Sequence, residues 1–233
     1  MRPRIGLTTA LEGDEQRLDL RYVRAVERAG GLPLPVPFLD TDEAADAFAA
    51  LLDGLVVVGG PGVTRGLVGA LAPELTPTPE LRARSDARLL ARFLDEGRPA
   101  LGICYGMQLA CALRGGSVWG DVETQVPGAL VHSDRRGGTA HGVRVLHGTH
   151  LRRVLATDAL DVPTHHLQAV RSAGEGLVVS ALAPDGVVEG VETPDGRFLG
   201  VQFHPERMGD EVTALFRHLV ALAGESRRGT LAA

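Results

Sequence analysis

Apolar residues along the chain follow two spacings. Short continuous runs alternate with longer stretches in which they return every three or four positions, the periods of buried strands and amphipathic helices. Residues 4–8 predict a first strand. Residues 16–29 place Leu18, Tyr22, Val23, Val26 and Ala29 on one helical face, and Gly30-Gly31 stops that helix. Asp40-x-x-Glu43 resembles a capping box and predicts a helix running to Leu52. Residues 55–58 are uninterrupted Leu and Val, as expected of a strand covered on both faces. Residues 80–96 form another amphipathic stretch, carrying Leu81, Leu89, Leu90, Phe93 and Leu94 and closed by Gly97 and Pro99. A strand over 100–104 then runs directly into a helix over 105–113 that ends at Gly115-Gly116.

Beyond residue 116 the texture changes. Strands are predicted at 142–146, 169–171, 177–182, 187–191 and 198–203, punctuated by Pro184-Asp185-Gly186 and Pro194-Asp195-Gly196 turns. A last helix over 211–222 precedes a tail from Gly224, expected to be flexible. Strand–helix alternation followed by an antiparallel portion predicts a single α/β domain over 1–223. Its central sheet is mostly parallel and flanked by helices, with a smaller antiparallel part.

Composition narrows the function. The 233 residues are 44% hydrophobic, enough for one large core or at most two modest ones, and the net charge of −5 gives no reason to expect nucleic acid or an anionic membrane as partner. All 24 basic residues are arginine, so chemistries that need an ε-amine are excluded: a P-loop, a kinase, a pyridoxal-phosphate enzyme, a Schiff-base aldolase. No apolar run approaches the ~18 residues of a membrane span, and the first residues lack a signal-peptide core. Cys104 and Cys111 are too far apart along one helix for a disulfide. A reducing, cytoplasmic location is the expectation.

The chemistry concentrates in three segments. In Leu101-Gly102-Ile103-Cys104-Tyr105-Gly106-Met107-Gln108 a buried strand turns into a helix through Gly-x-Cys-x-Gly. Glycines on either side permit the tight turn that projects a nucleophile, and a helix N-terminus favours thiolate. The plain alternative is a small core cysteine. In Gly200-Val201-Gln202-Phe203-His204-Pro205-Glu206, an extended backbone would put His204 and Glu206 on one side. A carboxylate could then orient an imidazole towards the thiol, completing a Cys-His-Glu triad. The order nucleophile, histidine, acid also departs from the nucleophile–acid–histidine order of the α/β-hydrolases. Val57-Val58-Gly59-Gly60-Pro61-Gly62 follows a buried strand and could offer N–H groups to an oxyanion, or be a mere turn or a weak phosphate loop.

Taken together, these segments resemble the class I glutamine-amidotransferase-like proteins, with their flavodoxin-like fold. The likeness is to the free-standing γ-glutamyl-γ-aminobutyrate hydrolase type, the C26 peptidase group. Residues 22–33 resemble that branch's first helix and its exit, and Thr164-His165-His166-Leu167-Gln168-Ala169-Val170 resembles its Ser-x-His-His-Gln-Ala-Val signature. The resemblance implies Cys104 as nucleophile, His204 as acid–base group and Glu206 as its orienter. It further implies an oxyanion hole from the N–H groups of Gly60 and Tyr105, with Gln108 and His166 on the substrate. Three positions depart from the branch: Tyr105 stands where Arg is common, Val58 replaces Pro, and Leu167 intervenes before Gln168. Tyr105 is therefore expected to alter the leaving-amine pocket.

The expected reaction is cleavage of a small γ-glutamyl amine through a γ-glutamyl thioester, with no cofactor. The alternatives are a glutaminase subunit supplying ammonia to a separate synthetase and a binding protein without turnover. A homodimer is left open. Metal is not expected: His147-x-x-His150 spans a turn, and no carboxylate or cysteine in the pattern completes a site with His141, His165 or His166. Arg135-Arg136 reads as a solvated loop, with binding of an acidic substrate group as the minor reading.

Overall fold

Most of the apolar runs become strands and the three–four repeats become helices in the computed structural model, which describes residues 1–231. In chain order these are β1 (Arg4–Leu7), β2 (Ala10–Glu12), β3 (Glu15–Arg17), α1 (Leu20–Arg28), β4 (Leu32–Pro35), α2 (Asp42–Ala49), β5 (Gly54–Val57) and β6 (Leu67–Val68). Then come α3 (Glu80–Asp95), β7 (Ala100–Ile103), α4 (Tyr105–Leu113), β8 (Ser117–Trp119), α5 (Val122–Gln125), β9 (Ala140–Val145), α6 (His150–Leu155) and β10 (Ala159–Pro163). The chain closes with β11 (Ala169–Ser172), β12 (Val178–Leu182), β13 (Val188–Glu192), β14 (Phe198–Val201) and α7 (Asp210–Leu231).

The main sheet runs β10-β9-β12-β13-β14-β7-β5-β1-β4, with β11, β8 and β6 branching from β13. From β14 through β7, β5 and β1 to β4 every pairing is parallel. From β14 through β13, β12 and β9 to β10 every pairing is antiparallel. The chain is thus a single α/β domain with the parallel and antiparallel halves the sequence predicts, joined at β14. One apolar layer packs α1 and α7 on the sheet through Val26, Leu215, Phe216 and Leu219. The other packs α2, α3 and α4 through Ala45, Leu89, Leu90, Phe93 and Met107. Strands β5, β7 and β14 are buried along their whole length between these layers, which is why their sequences do not alternate.

Several boundaries differ from the sequence reading. The first helix begins at Leu20, not residue 16, because Glu15–Arg17 pairs with Ala10–Glu12 as a small hairpin and Asp19 caps the helix through Arg21 N. The second is capped by Thr41, whose hydroxyl accepts from Ala44 N at 3.1 Å, and not by the Asp40 box. The strand expected over 198–203 ends at Val201. The last helix continues past residue 222 through Leu231, so the stretch expected as a tail is helical that far, and residues 232–233 lie outside the described residues. No helix among the described residues is long and apolar enough to cross a membrane.

Candidate active site

Strands β5, β7 and β14 lie side by side and parallel, so their carboxyl ends deliver three loops to one edge of the sheet. That edge is where open α/β sheets bind ligands. The loop after β5 is Val58–Gly62, the residue after β7 is Cys104, and the segment after β14 carries His204. Cys104 N donates to Val201 O at 2.8 Å, tying the cysteine to the neighbouring strand end.

Cys104 sits at φ 50°, ψ −102°, one of two described non-glycine residues with positive φ. Such strain persists only where the surroundings over-determine it. They do so here: a Cβ on Gly102 would lie 2.8 Å from Gly106 C, and one on Gly106 would lie 2.3 Å from Val57 O. The two glycines therefore let α4 begin directly on the sheet, with the thiol at the helix N-terminus.

His204 Nδ1 and Glu206 Oε1 are 2.8 Å apart. The contact does not arise from strand alternation, as expected, because Pro205–Arg207 is a 3-10 turn that brings the carboxylate round to the ring. With Nδ1 so held, Nε2 is the nitrogen left for sulfur. Burial pushes the Cys104 thiol up, yet the hydrogen bond and charge of His204, with help from His166 and the Tyr105 N–H, hold it below its ordinary value. Burial alone would lower His204, but its bonds to Cys104 and Glu206 outweigh this and raise it to about 9. Both directions favour a thiolate–imidazolium pair. Gln202 Nε2 adds a donor 3.3 Å from the sulfur. By contrast, burial pushes the Cys111 thiol up to about 12.

Beneath the Gly59-Gly60 turn lies Arg82, fully buried, a residue the sequence reading passed over as part of an amphipathic helix. Its NH2 donates to Gly59 O at 3.0 Å and Val58 O at 3.3 Å, while Nε donates to Asp86 at 3.1 Å. Tyr22 accepts from Gly59 N at 3.2 Å on the other side. Fixing both carbonyls and one N–H leaves the peptide before Gly60 little freedom. The Tyr105 ring points the other way: it is 1% exposed and lies 4.7 Å under the Arg82 guanidinium. The expectation that Tyr105 reshapes the leaving-amine pocket is therefore wrong. Only its backbone N–H faces the site, because the side chain of the first helical residue turns into the α3–α4 interface.

Two cavities meet at Cys104, and both are lined by Gly60, Arg135 and His165. The smaller, about 240 Å³, adds Gln108, His166 and Gln168; the larger, about 750 Å³, adds Tyr22, His204 and Arg207. Gln108 Nε2 is committed to Gln168 O at 3.1 Å and Gln202 Oε1 at 3.0 Å, so its Oε1 is what remains for a ligand. Gln168 grips Val63 by both backbone groups, at 2.7 and 2.9 Å, locking the post-β5 loop. Of the arginine pair, Arg136 is tied to the Glu74 and Asp121 carboxylates, whereas Arg135 donates from NH1 to Glu74 O at 2.7 Å and borders both cavities. Arg135 is exposed on its turn, as the solvated-loop reading has it, and stands at the rim of both cavities.

His166 lines the smaller cavity, but its Nε2 is directed at Glu189 Oε1, 3.3 Å away. His132, His141, His166 and Glu189 are brought together as one buried group able to hold a metal ion. The sequence reading looked for helical spacing and found no completing carboxylate; Glu189, on β13, supplies one through sheet pairing. His147 and His150 face elsewhere, towards Asp158 and Pro194 O.

Comparison with known proteins adds four findings. The family model for Peptidase C26 matches residues 5–206. A protein of Mycobacterium tuberculosis, provisionally named a glutamine amidotransferase, is 35% identical over 95% of this chain and 75% of its own length. The γ-glutamyl-γ-aminobutyrate hydrolase PuuD of Escherichia coli is 31% identical over 82% of this chain and 79% of its own. Among solved structures, the glutaminase domain of Trypanosoma brucei CTPS with bound acivicin superposes with a TM-score of 0.69 at 18% identity, covering 96% of this chain and 94% of that one. That likeness is one of fold.

Proposed function

The chain belongs to the Peptidase C26 family, and on that premise we propose that it cleaves γ-glutamyl amides of small amines. Family and relatives make it an amidohydrolase or glutamine-amidotransferase-like chain; the substituted γ-glutamyl amide and the residue roles below are our reading. The observation that carries it is the strained Cys104 elbow beside the His204–Glu206 pair, with the thiol lowered and the imidazole raised.

In this reading the Cys104 thiolate attacks the δ-carbonyl carbon, and the carbonyl oxygen becomes an oxyanion received by the N–H groups of Gly60 and Tyr105. The C–N bond breaks as His204 gives its proton to the departing amine, leaving a γ-glutamyl thioester. Water then adds through its oxygen to the thioester carbonyl carbon while His204 takes its proton, and the C–S bond breaks to release glutamate and restore the Cys104 thiolate. Glu206 keeps the imidazole oriented throughout. Since His204 borders the larger cavity, the amine occupies that side and the glutamyl group the smaller one. There Gln108 Oε1 is placed for the α-ammonium and Arg135 for the α-carboxylate.

A panel of γ-glutamyl amides, with free glutamate as readout, tests this. Wild type should hydrolyse substituted amides faster than glutamine, and Cys104→Ala should abolish turnover while remaining folded. Turnover of glutamine alone would instead indicate a glutaminase subunit. Undiminished turnover by Cys104→Ala would end the mechanism.

A further inference from the structure

Beside the nucleophile lies a second buried polar group that the hydrolysis above does not use. It gathers His132 from the loop before β9, His141 from β9, His166 from the loop before β11 and Glu189 from β13. Their four donor atoms lie within 4.8 Å of one another, and all four residues are buried. Among the described residues, neither oxygen of the fully buried Glu189 side chain accepts a well-formed hydrogen bond, and His166 Nε2 has only its 3.3 Å approach to Glu189 Oε1. An ionised carboxylate in that position costs several kcal/mol unless a positive group faces it.

Each imidazole is held from behind by an acceptor. His132 Nε2 is 2.8 Å from Asp185 Oδ2, His141 Nδ1 is 3.2 Å from Gly142 O, and His166 Nδ1 is 2.9 Å from Gln168 O. A carboxylate or carbonyl oxygen has no hydrogen to give, so these nitrogens carry the ring hydrogens. In neutral rings the opposite nitrogens are then bare lone pairs. Those are the atoms that face Glu189 Oε1, at 3.7 Å from His132 Nδ1, 3.6 Å from His141 Nε2 and 3.3 Å from His166 Nε2. His132 Nδ1 and His141 Nε2 are themselves 3.1 Å apart. With all three rings neutral in these tautomers, four acceptors converge with no hydrogen between them, an arrangement relieved either by a proton on His166, which Glu189 favours, or by a cation at the centre.

The distances suit a particular cation. Tetrahedral zinc, with bonds of about 2.0–2.1 Å, sets its ligand atoms about 3.3 Å apart, close to four of the separations (3.1–3.7 Å) within a group that spreads to 4.8 Å and would draw in slightly around the ion. Three imidazoles and one carboxylate are donors for zinc and its neighbours, and a poor set for calcium or magnesium. Backing each ring with a carboxylate or backbone carbonyl is how metal-binding histidines are held in register. His166 lines the smaller cavity, which gives the ion a route in.

We propose that His132, His141, His166 and Glu189 bind one zinc ion next to the catalytic cysteine. The ion anchors the segment from His166 to Gln168 on β13. Through that segment it sets the Gln168 carbonyl that receives Gln108 and the Gln168 amide that grips Val63. Its role is to position one wall of the smaller cavity, and no bond-making step passes through it.

The test uses the full chain and reads metal, not turnover. Metal-stripped protein is titrated with Zn(II), dialysed and analysed for bound zinc, and in parallel with Co(II) for visible absorption. The proposal expects one zinc per chain, the d–d bands of a four-coordinate cobalt site, and a zinc-dependent rise in the thermal midpoint. Glu189→Gln and His141→Gln should each lower retained zinc at least tenfold, whereas Cys104→Ala should keep one equivalent. No retained zinc in wild type, with no thermal shift, would overturn it and leave the cluster as a proton-sharing network. Loss of the zinc in Cys104→Ala would overturn it too, by placing the ion on the thiol. The wild-type stoichiometry and cobalt spectrum decide the matter even should a variant fail to fold. Neither depends on the substrate reading.

Discussion

Replacing Arg82 by methionine leaves the Asp86 carboxyl without its partner in a nearly dry interior. Burial has already raised that carboxyl to about 6 against the pull of the guanidinium. Breaking a buried pair by removing one member costs about 3–5 kcal/mol, so Arg82→Met alone should unfold at markedly lower urea. Replacing both, as Arg82→Met with Asp86→Leu, removes the stranded charge and should return stability close to wild type. Activity should not return with it. The carbonyls of Val58 and Gly59 still lack the donor now 3.3 and 3.0 Å away, and Gly60 N–H is no longer aimed. Loss of an oxyanion donor costs about 10²–10³ in kcat; a donor that is loosened rather than lost should cost at least about tenfold, with KM little changed. Urea melts and steady-state hydrolysis of a γ-glutamyl amide separate the two effects. A double variant as stable and as fast as wild type would refute the idea that Arg82 shapes the site, leaving it a core residue only.

Three further outcomes follow from the same geometry. At about pH 7, iodoacetamide followed by mass spectrometry should label Cys104 and spare Cys111 until the protein is denatured, because the first thiol is lowered and the second raised to about 12. His204 is raised from 6.5 to about 9 on folding, so its share of stability is fully present below its unfolded value and lost as pH rises through about 9. Urea midpoints across that window should fall less in Cys104→Ala, which lacks the thiolate. Gly106→Ala puts a methyl 2.3 Å from a backbone oxygen of β5, so α4 must shift. A stability loss of about 1–3 kcal/mol, with kcat down by about a hundredfold, is expected in thermal melts and kinetics.

Local chemistry was legible in the sequence alone. Tyr105–Leu113 begins and ends where the residues predict, and Glu80–Asp95 differs by one residue at its end, because helix starts, stops and periodicity depend on near neighbours. Cys104 stood out because the glycines that make its turn lie two positions away on either side, and His204 and Glu206 because their partnership spans one proline. The outer strands and the first helix were read less well, since hairpin pairing of Ala10–Glu12 with Glu15–Arg17 overrides the helical pattern of residues 16–19.

What tertiary structure decided is which distant pieces meet. The chain order of β5, β7 and β14 does not state that they are neighbours, yet that adjacency is what sets the Gly60 turn, the thiol and the imidazole at one edge. Arg82 reads as one polar position of an amphipathic helix, and only packing of α3 on α4 turns it into the support of that turn. His132, His141, His166 and Glu189 carry no common spacing; the pairing of β9, β12, β13 and β11 and the two loops that carry His132 and His166 fold their donor atoms together. Periodicity records what each residue needs from water, whereas such groupings depend on long-range pairing energies that no short window contains.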